Sequence, residues 1–548
     1  MDADRRDRGE EVEVVTPCGV LVGERAPDGQ TVSFKGIAYA QPPVGALRWR
    51  RPAPAPAWTG RRQAKAFGPA AMQPRLPDDA FYADTPTSMS EDCLSLNVWA
   101  PAMAEQAPVI VWLHGGALVF GSGGNPRYDG ARLARLGVVV VTINYWLGVF
   151  GYFAHPELSN ESQEGVSGNY GTLDQIEALR WVRQNIAAFG GDPDTVTLMG
   201  QSAGGLSVAH LMASPLSRGL FHRAIAMSAH LPAMPALTAS VLGQPSAEAI
   251  GMDFGAKSGA ASLEALRALP AQALLEAAAE TGFVPEGAVD GWVHPAQIFD
   301  TFAAGGQARV PLIVGFTSDE TRSFGGLGFL PQAPDSPATY AALVRRLYQD
   351  LAARYLAQYP ARYPGRALHA AVRDGVYGRA ALRFAGDHAA SGAPTYLYAF
   401  QHVYPSAEER GLGAFHSCDV PFVFGNVGPA AVAPRNWPSP PRRADDVALS
   451  DAVMAYWTAF ARDGRPDAPG LPAWTACASP SGDYMAFVDG RARPSRHVQP
   501  GMFELQEDIV ARRRAAGLAW WRWENIGLCL QGVNTPCQAA QAKKEIKP

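Results

Sequence analysis

The chain has 548 residues, of which 47% are hydrophobic and 18% charged, a composition that allows a large buried core. Its formal net charge is -4, so charge gives no reason to expect a nucleic acid or an anionic membrane surface as partner. No apolar run reaches the roughly 18 residues that a membrane-spanning helix needs.

The N-terminal stretch, MDADRRDRGEEVEV, is charged and lacks the apolar core of a secretory signal. We therefore expect a cytoplasmic protein, or a secreted or periplasmic one if a signal has been removed. The six cysteines are dispersed and form no C-x-x-C or His/Cys cluster, so no metal site is expected. Most are expected to be free thiols, while Cys529 and Cys537 can close a small loop in an oxidising compartment.

The N-terminal part of the chain predicts short strands and loops. Residues 11–40 contain alternating polar and apolar positions, typical of half-buried strands. Residues 41–56 are rich in Pro, Gly and Arg, which favours a loop. Residues 69–90 are polar and Pro-rich, and we interpret them as a long loop that can lie over a cleft.

The middle of the chain predicts repeated β-α units. Residues 108–113 and 137–143 are continuous apolar runs, typical of buried parallel strands, with a short helix near 130–136 between them. Apolar residues recur every three or four positions from 172 to 189 and predict a helix. Strands are predicted at 195–199 and 221–228. Such units favour an open, mostly parallel sheet whose ligands bind at the carboxyl ends of the strands.

The remaining chain predicts further elements around this sheet. They are helical stretches within 231–305, a strand at 311–315, helices at 338–358 and 366–390, a strand at 395–400, and helices at 447–463 and 502–526. No repeat or linker divides the chain, so we expect one α/β domain over residues 1–525 with helical insertions. Residues 526–548 are expected to form a poorly ordered polar tail.

One pentapeptide, Gly200-Gln201-Ser202-Ala203-Gly204, has the form G-x-S-x-G. A β-branched apolar run precedes it and a small-residue stretch that can form a helix follows, which is the context of a nucleophile elbow. The glycines are needed because the turn leaves no room for side chains beside the serine. The alternative interpretation is an ordinary Gly/Ser loop, so the pentapeptide alone does not establish catalysis.

Hydrolysis by a serine needs a base near the hydroxyl and a buried carboxylate that holds the base. In this fold class the acid and then the base follow the serine along the chain. Asp319 and Glu320 both follow the predicted strand at 311–315, and either fits the acid. The downstream histidines that fit the base are His369, His388, His402, His416 and His497. His369 and His388 lie in helix-like stretches, whereas His416 lies in a Gly-containing loop and is favoured.

Backbone N–H groups are expected to bind the oxyanion of such a reaction. Gly115 and Gly116 follow the strand at 108–113, and two glycines leave the backbone open to a substrate carbonyl. Ala203 begins the predicted elbow helix, whose N-terminus favours negative charge. The alternative for His114 and the two glycines is a plain strand-to-loop turn.

These motifs and their surroundings resemble the type-B carboxylesterase/lipase family, in particular its bacterial para-nitrobenzyl esterase branch. The resemblance covers roughly residues 16–525. It is carried by the stretches FKGIAYAQPPVGALRWRRP (34–52), EDCLSLNVWAP (91–101), VWLHGGALVFGSG (111–123), GNYGTLDQ (168–175), LRWVRQNIAAFGGDPDTVTLMGQSAGG (179–205), FHRAIAMS (221–228), VGFTSDE (314–320) and GAFHSCDVPFVFG (413–425).

The resemblance implies the α/β-hydrolase fold and hydrolysis of carboxylic esters through an acyl-enzyme, without a metal or cofactor. It selects Glu320 over Asp319, since the family's acid is the glutamate of its Asp-Glu pair. The implied site is a catalytic triad with an oxyanion hole, formed by Ser202, Glu320 and His416 with Gly115, Gly116 and Ala203. The expected partner is a small-molecule ester, and a monomer is expected.

Two departures from the family pattern bear on the surroundings of the site. Cys93 lacks the family's usual disulfide partner near residues 67–71 and is expected to be free, which favours a reducing compartment. Trp146 stands where the family has an arginine that pairs with the aspartate aligned with Asp174. Asp174 must therefore find other donors or solvent, while Trp146 either packs or lines the cleft.

The resemblance also bears on specificity and stability. The family's other ion pair is available as Arg48 with Glu91. The loop at 72–90 lacks the tryptophan with which cholinesterases bind choline and has only Phe81 and Tyr82 as aromatic residues. A choline ester is therefore not expected as the preferred substrate.

Several alternatives stay open at this point. Residues 283–285, residues 316–330 and Trp146 are candidates for shaping the cleft, and His230 either faces the cleft or is packed. The same triad also fits an amidase, a carbamate hydrolase or a long-chain lipase. A non-catalytic binding protein of the same fold is the alternative from another class.

Overall fold

The computed structural model describes residues 10–84, 86–324, 330, 332–478 and 482–521. Its strands are β1 (Glu11–Thr16), β2 (Gly19–Arg25), β3 (Thr31–Ala38), β4 (Arg61–Gln63), β5 (Ala70–Ala71), β6 (Met89–Ser90), β7 (Ser95–Pro101), β8 (Ala107–Leu113), β9 (Val139–Ile143), β10 (Gly191–Gln201), β11 (Arg223–Met227), β12 (Leu312–Thr317), β13 (Thr395–Phe400), β14 (Asp483–Val488) and β15 (Arg491–Arg496). The predicted tail at 526–548, with Cys529 and Cys537, lies outside the described residues.

Its helices are α1 (Ala131–Arg135), α2 (Gly148–Tyr152), α3 (Pro156–Glu161), α4 (Tyr170–Asn185), α5 (Ala203–Ala213), α6 (Ala247–Lys257), α7 (Leu263–Ala268), α8 (Ala271–Thr281), α9 (Ile298–Ala303), α10 (Pro337–Tyr348), α11 (Ala352–Gln358), α12 (Pro364–Arg373), α13 (Arg379–Ala390), α14 (Pro405–Glu409), α15 (Val420–Val423), α16 (Ala444–Asp463) and α17 (Met502–Ala515). Across the described ranges, none of these helices has the length and apolar character needed to cross a bilayer.

Among the described residues, thirteen strands form one sheet in the order β1-β2-β3-β7-β9-β8-β10-β11-β12-β13-β14-β15, with β4 beside β2. From β9 to β14 in this order the strands are parallel, and antiparallel strands extend the sheet at both ends. The prediction of a mostly parallel sheet is confirmed. A single sheet that runs from the first strand to the last also supports one domain over residues 1–525, which stays a prediction.

The central strand β8 shows why the buried strands have continuous apolar sequences. All of its residues are buried. Val109 and Val111 pack in the core on one face of the sheet, whereas Ile110 and Trp112 pack in the core on the other face. Helices α5 and α16 contact this strand. Because both faces are covered, apolar side chains are favoured at every position and no alternation remains.

The last helix is shorter than the composition predicts. Residues 502–526 were expected to be helical, but α17 ends at Ala515, and Gly517 follows with a φ of +71°. A left-handed glycine is a common end of a helix. The next residues are apolar for another reason, because Trp520 and Trp521 are buried in the core outside any helix.

Arg48 forms the expected ion pair with Glu91. Its Nε and Nη2 atoms donate to the two carboxylate oxygens at 2.6 and 2.7 Å. Its Nη1 atom donates to the carbonyl oxygens of Leu266, Arg267 and Leu269, around the end of α7. The Arg48 side chain is only 4% exposed. This arginine therefore ties the chain before β4 to the helical insertion.

We expect Arg48→Met to lower the free energy of unfolding by about 3 kcal/mol, because Glu91 and three carbonyl groups lose a buried charged donor. Arg50→Met is the matched control, since Arg50 is 54% exposed and lies 3.6 Å from its partner Glu161. Denaturant unfolding followed by circular dichroism measures both variants. Equal transition midpoints would contradict the role given to Arg48.

Candidate active site

Ser202 lies on the turn between β10 and α5, at the carboxyl end of a central parallel strand. Its φ of +60° and ψ of -123° are unusual for a residue with a side chain. Its N–H donates to the carbonyl oxygen of Met227, and its own carbonyl oxygen accepts from the N–H of Leu206, both at 2.9 Å. These hydrogen bonds hold Ser202 in a strained conformation of the kind that occurs at functional turns.

The glycines on either side of Ser202 are close to other backbone atoms. A Cβ atom added to Gly200 would lie 2.3 Å from the carbonyl oxygen of Gly204. A Cβ atom added to Gly204 would lie 2.0 Å from the carbonyl oxygen of Leu113, at the end of β8. The G-x-S-x-G spacing therefore has a steric cause, which an ordinary loop would not need.

Glu320 and His416 are brought into contact after β12 and β13. The Glu320 side chain is fully buried. One of its carboxylate oxygens accepts the N–H of Thr317 at 2.9 Å, and the other contacts Nδ1 of His416. Asp319, the other candidate acid, instead forms an ion pair with Arg322 at 2.8 Å. The geometry thus distinguishes the two neighbouring acids.

The other candidate histidines lie elsewhere. His369, His388 and His402 have side-chain contacts with Thr321, the carbonyl oxygen of Val310 and Asp446, respectively, and His497 is exposed. Of the five histidines, His416 alone is among the described residues that line the cavity containing Ser202.

The second ring nitrogen of His416 faces Gln201. Nε2 of His416 lies 3.2 Å from Nε2 of Gln201, whose Oε1 accepts the Ser417 hydroxyl at 2.9 Å. With its oxygen engaged by Ser417, Gln201 donates an amide proton to His416, which places the imidazole proton on Nδ1, facing Glu320. In the described part of the chain the Ser202 hydroxyl has no hydrogen bond, although Ser202 and His416 line the same cavity.

Three aromatic side chains surround the imidazole of His416. The rings of Phe324 and Tyr377 have centroids 5.3 and 5.1 Å from that of His416, and the Tyr82 hydroxyl donates to its carbonyl oxygen at 3.1 Å. Tyr377 comes from the π-helical turn Asp374–Gly378 between α12 and α13. Tyr377 was not predicted as part of the site, because a π-helical turn has no local sequence pattern from which it is predicted.

Gly115 and Gly116 follow β8 and lie beside the elbow. A Cβ atom on Gly115 would lie 3.1 Å from Cβ of Ser202, and one on Gly116, which has a φ of +117°, would lie 1.8 Å from the carbonyl oxygen of Phe120. Among the described residues, the N–H groups of Gly115, Gly116 and Ala203 donate to no carbonyl group. Three unpaired donors therefore lie around Ser202, as the binding of an oxyanion requires.

His114, which precedes these glycines, is a structural residue. Its ring stacks on Tyr145 at 4.5 Å, and its Nδ1 atom lies 2.8 Å from the carbonyl oxygen of Gly115. The Tyr145 hydroxyl donates to the carbonyl oxygen of His114 at 2.8 Å. Burial lowers the pKa of His114 to about 4. A neutral imidazole therefore fixes the start of the glycine loop.

The cavity around Ser202 has a volume of about 400 Å³, within the range of small-molecule sites. The loop that was expected to lie over a cleft contributes Tyr82 and Asp84 to its wall, and the segment 316–330 contributes Phe324. The expectation that residues 283–285 or Trp146 shape this cavity is wrong for the described lining, which contains neither.

Trp146 is buried and is absent from the described lining of the cavity. Its indole N–H donates to the carbonyl oxygen of Glu91 at 3.0 Å, and its backbone N–H donates to the carboxylate of Asp174 at 3.1 Å. A backbone N–H thus binds Asp174, which has no cationic partner in the described part of the chain. Burial raises the pKa of Asp174 to about 8.

The raised pKa of Asp174 has a consequence for stability. Between about pH 4 and pH 8 the folded protein binds more protons than the unfolded chain, so stability falls as the pH rises through that window. Asp174→Asn cannot ionise and keeps an acceptor for the N–H of Trp146. We expect this variant to gain about 4 kcal/mol over wild type between pH 5 and pH 9, because each pH unit up to the folded pKa is worth about 1.4 kcal/mol.

The measurement is the free energy of unfolding of both proteins at the two pH values. Asp451→Asn is the control, because Asp451 is exposed on α16. A difference between Asp174→Asn and wild type that does not change with pH would contradict the raised pKa.

His230 is packed and does not line the cavity in the described chain. It is fully buried, with the rings of Tyr377 and Trp521 at 6.0 and 5.7 Å. Burial lowers the pKa of His230 to about 3. Of the two interpretations of His230, the packed one is therefore confirmed.

The cysteines that the structure describes are Cys18, Cys93, Cys418 and Cys477, and all are free. The prediction that Cys93 is unpaired is confirmed. Within the described ranges no group of three or more His, Cys, Asp or Glu side chains is suited to a metal ion.

A serine on a sharp strand-to-helix turn at the carboxyl edge of a mostly parallel sheet defines an α/β hydrolase. Comparison with known proteins supports the same class. The family model described as "Carboxylesterase family" matches residues 10–499. A solved structure of PNB esterase superposes with a TM-score of 0.75 at 33% identity, covering 90% of this chain and 99% of that one.

Two curated relatives cover most of the chain. Fumonisin B1 esterase of Sphingopyxis macrogoltabida is 37% identical over 455 residues, 80% of each chain. Para-nitrobenzyl esterase of Bacillus subtilis (strain 168) is 35% identical over 449 residues, 79% of this chain and 86% of the relative. The chain belongs to the carboxylesterase family. The fold, the family and the enzyme class predicted from the sequence, a carboxylic ester hydrolase, are thereby confirmed.

Proposed function

We propose that this carboxylesterase hydrolyses esters of small molecules through an acyl-enzyme on Ser202. In this proposal His416 is the base, Glu320 is the acid that orients it, and the N–H groups of Gly115, Gly116 and Ala203 form the oxyanion hole. The observation that carries the proposal is the contact of a fully buried Glu320 with Nδ1 of His416, in a cavity that also contains Ser202.

The reaction follows from these positions. Nε2 of His416 takes the hydroxyl proton as Oγ of Ser202 attacks the carbonyl carbon, and the unpaired N–H groups bind the oxyanion. The imidazolium then protonates the leaving alcohol, and the C–O bond breaks to leave an acyl-enzyme. Water attacks the acyl carbon as His416 takes its proton, and Ser202 leaves with that proton.

Glu320 acts through His416. A carboxylate on Nδ1 keeps the proton there and leaves Nε2 free to accept, and it stabilises the imidazolium that forms. The first step also requires Nε2 to exchange its contact with the Gln201 amide for the Ser202 hydroxyl. Contacts of this kind commonly tighten only when substrate is bound.

Labelling with a fluorophosphonate tests the proposal against a binding protein of the same fold. The reagent reacts with a serine whose hydroxyl is activated, so we expect wild type to be labelled and Ser202→Ala to remain unlabelled. An unlabelled wild type with a native fold would contradict an active serine site.

The proposal also covers the leaving group and the acyl chain length of the substrate. A cavity of about 400 Å³ supports esters of short or medium acyl chains over long-chain lipids. Rates on p-nitrophenyl esters of increasing acyl length and on a p-nitroanilide separate an esterase from a lipase and from an amidase. A faster rate on the anilide than on the matched ester would favour the amidase.

A reducing compartment such as the cytoplasm also fits the chain. The proposal is supported by the free thiols of Cys18, Cys93, Cys418 and Cys477, of which all but Cys18 are buried. Thiol titration of the denatured protein under non-reducing conditions tests it, and six reactive thiols per chain are expected from the six cysteines.

A further inference from the structure

The cavity around Ser202 contains one arginine, Arg127, which the catalytic proposal does not use. Most of the wall is aromatic or uncharged, with Phe67, Phe120 and Phe324 among its members. In the described lining, Arg127 is the only Lys or Arg side chain. A guanidinium in such a wall interacts more strongly with a charged ligand than one in water, because the local dielectric is low.

The backbone and the aromatic neighbours hold Arg127 in position. It is the middle residue of the 3-10 turn Pro126–Tyr128, which is capped by the Asn125 side chain. Oδ1 of Asn125 accepts from the backbone N–H of Arg127 at 3.0 Å and from its Nε at 3.2 Å. The guanidinium carbon lies 4.9 Å from the ring centroid of Trp437 and 5.5 Å from that of Tyr128. The side chain is 15% exposed.

The terminal nitrogens of Arg127 have no hydrogen bond within the described chain. The nearest carboxylate oxygen is Oδ2 of Asp84, at 3.8 Å from Nη2, which is beyond hydrogen-bond length. That oxygen instead contacts Nδ2 of Asn125. A guanidinium carries five N–H groups in a fork that fits a carboxylate. The four N–H groups on its Nη atoms therefore have no hydrogen-bond acceptor among the described residues.

We propose that Arg127 is a specificity residue that binds a carboxylate of the substrate, so that the preferred esters carry a negative charge at some distance from the scissile bond. The inference rests on the function proposed above, because it places this charge in the cavity of Ser202. Oδ2 of Asp84, at 3.8 Å from Nη2, is the counter-charge nearest to Arg127 in the described chain. A substrate carboxylate that accepts two hydrogen bonds from the guanidinium would lie closer to Arg127 than Asp84 does.

The opposite preference, for a cationic ester that binds Asp84, has less support. Asp84 is 37% exposed, and its Oδ2 atom is engaged by Asn125. A cationic group beside it would also lie close to Arg127 and be repelled. The two preferences predict opposite effects of removing the arginine charge, so one set of variants distinguishes them.

The experiment compares matched pairs of chromogenic esters. On the acyl side they are p-nitrophenyl monoesters of adipate, suberate and sebacate, each against the analogue whose free carboxylate is replaced by a carboxamide. On the alcohol side, the butyrate ester of 4-hydroxybenzamide is the uncharged partner for the butyrate esters of 4-hydroxybenzoate and of tyramine. The readout is the ratio of kcat/KM for the charged ester to kcat/KM for its uncharged partner.

We expect wild type to prefer the carboxylate member of at least one pair, and Arg127→Met to lower that ratio about tenfold or more. Arg127→Lys keeps the positive charge but not the forked guanidinium, so its ratio should lie between those of wild type and Arg127→Met. Asp84→Asn should raise the ratio. Arg135→Met, on the exposed face of α1, is the control and should match wild type.

The outcomes separate this inference from the proposed function. A wild-type ratio near one in every pair, or a ratio that Arg127→Met leaves unchanged, would overturn the inference while Ser202-dependent turnover upholds the function. A preference for the tyramine ester that increases in Arg127→Met would assign the subsite to cations. Absence of turnover on every ester would overturn the function itself.

Discussion

Replacement of Ser202 by alanine lowers kcat on a p-nitrophenyl ester by about 10⁴-fold or more. The substitution removes the only hydroxyl on the elbow turn, and the acyl-enzyme cannot form without it. The positive φ of Ser202 is imposed by hydrogen bonds of its backbone to Met227 and Leu206, which alanine retains. We therefore expect the fold and the KM to change far less than kcat.

The control for this variant is Ser122→Ala, in the same cavity. The Ser122 hydroxyl donates to Oδ1 of Asn144 at 3.2 Å and accepts the N–H of Gly124, so it supports the glycine loop. Its loss should change kcat by only about tenfold or less. Retention of near-full activity by Ser202→Ala, with steady-state kinetics as the readout, would rule out Ser202 as the nucleophile.

Glu320→Gln is expected to lower kcat by about 10⁴-fold, the effect of making the triad acid neutral. The amide that replaces the carboxylate can donate to Nδ1 of His416, which then holds its proton on Nε2. In that tautomer the imidazole cannot accept the Ser202 proton. The imidazolium of the later steps also loses its buried counter-charge.

Asp319→Asn is the matched control, because Asp319 is the adjacent acid and pairs with Arg322 instead of a histidine. We expect its kcat to remain within about tenfold of wild type. The measurement is kcat and KM of both variants on one ester, which distinguishes the two candidate acids. A larger loss in Asp319→Asn than in Glu320→Gln would assign the acid to Asp319 and contradict the geometry.

The central strands and the elbow were predictable because local rules determine them. β8 is covered on both faces, so its sequence is a continuous apolar run that indicates a buried parallel strand. Gly200 and Gly204 are required by backbone contacts of 2.3 and 2.0 Å, and such a requirement is visible in a short motif. Chain order then restricted the acid and the base to residues after Ser202.

Contacts between distant segments were not predictable in the same way. Asp319 and Glu320 both follow β12, and only the path of the loop with His416 decides which of them meets the imidazole. Tyr377 reaches His416 from a π-helical turn, and Arg127 reaches the cavity from a turn after the glycine loop. Neither residue lies in a pattern that marks it as part of a site.

Trp146 shows a second kind of limit. The sequence indicates that the family's arginine is missing, but it does not indicate where the indole goes. In the structure the indole N–H of Trp146 donates to the carbonyl oxygen of Glu91, and its backbone N–H donates to the carboxylate of Asp174. The length of α17 is a similar case, since the apolar residues after Ala515 fit a helix and a buried irregular segment equally well.

The most direct test of the account is the trapping of the acyl-enzyme. Wild type is mixed with p-nitrophenyl butyrate, quenched with acid on the millisecond scale and digested, and the peptides are analysed by mass spectrometry. We expect the trapped butyryl group to lie on the peptide that contains Ser202. A butyryl group trapped on another residue instead would contradict Ser202 as the nucleophile.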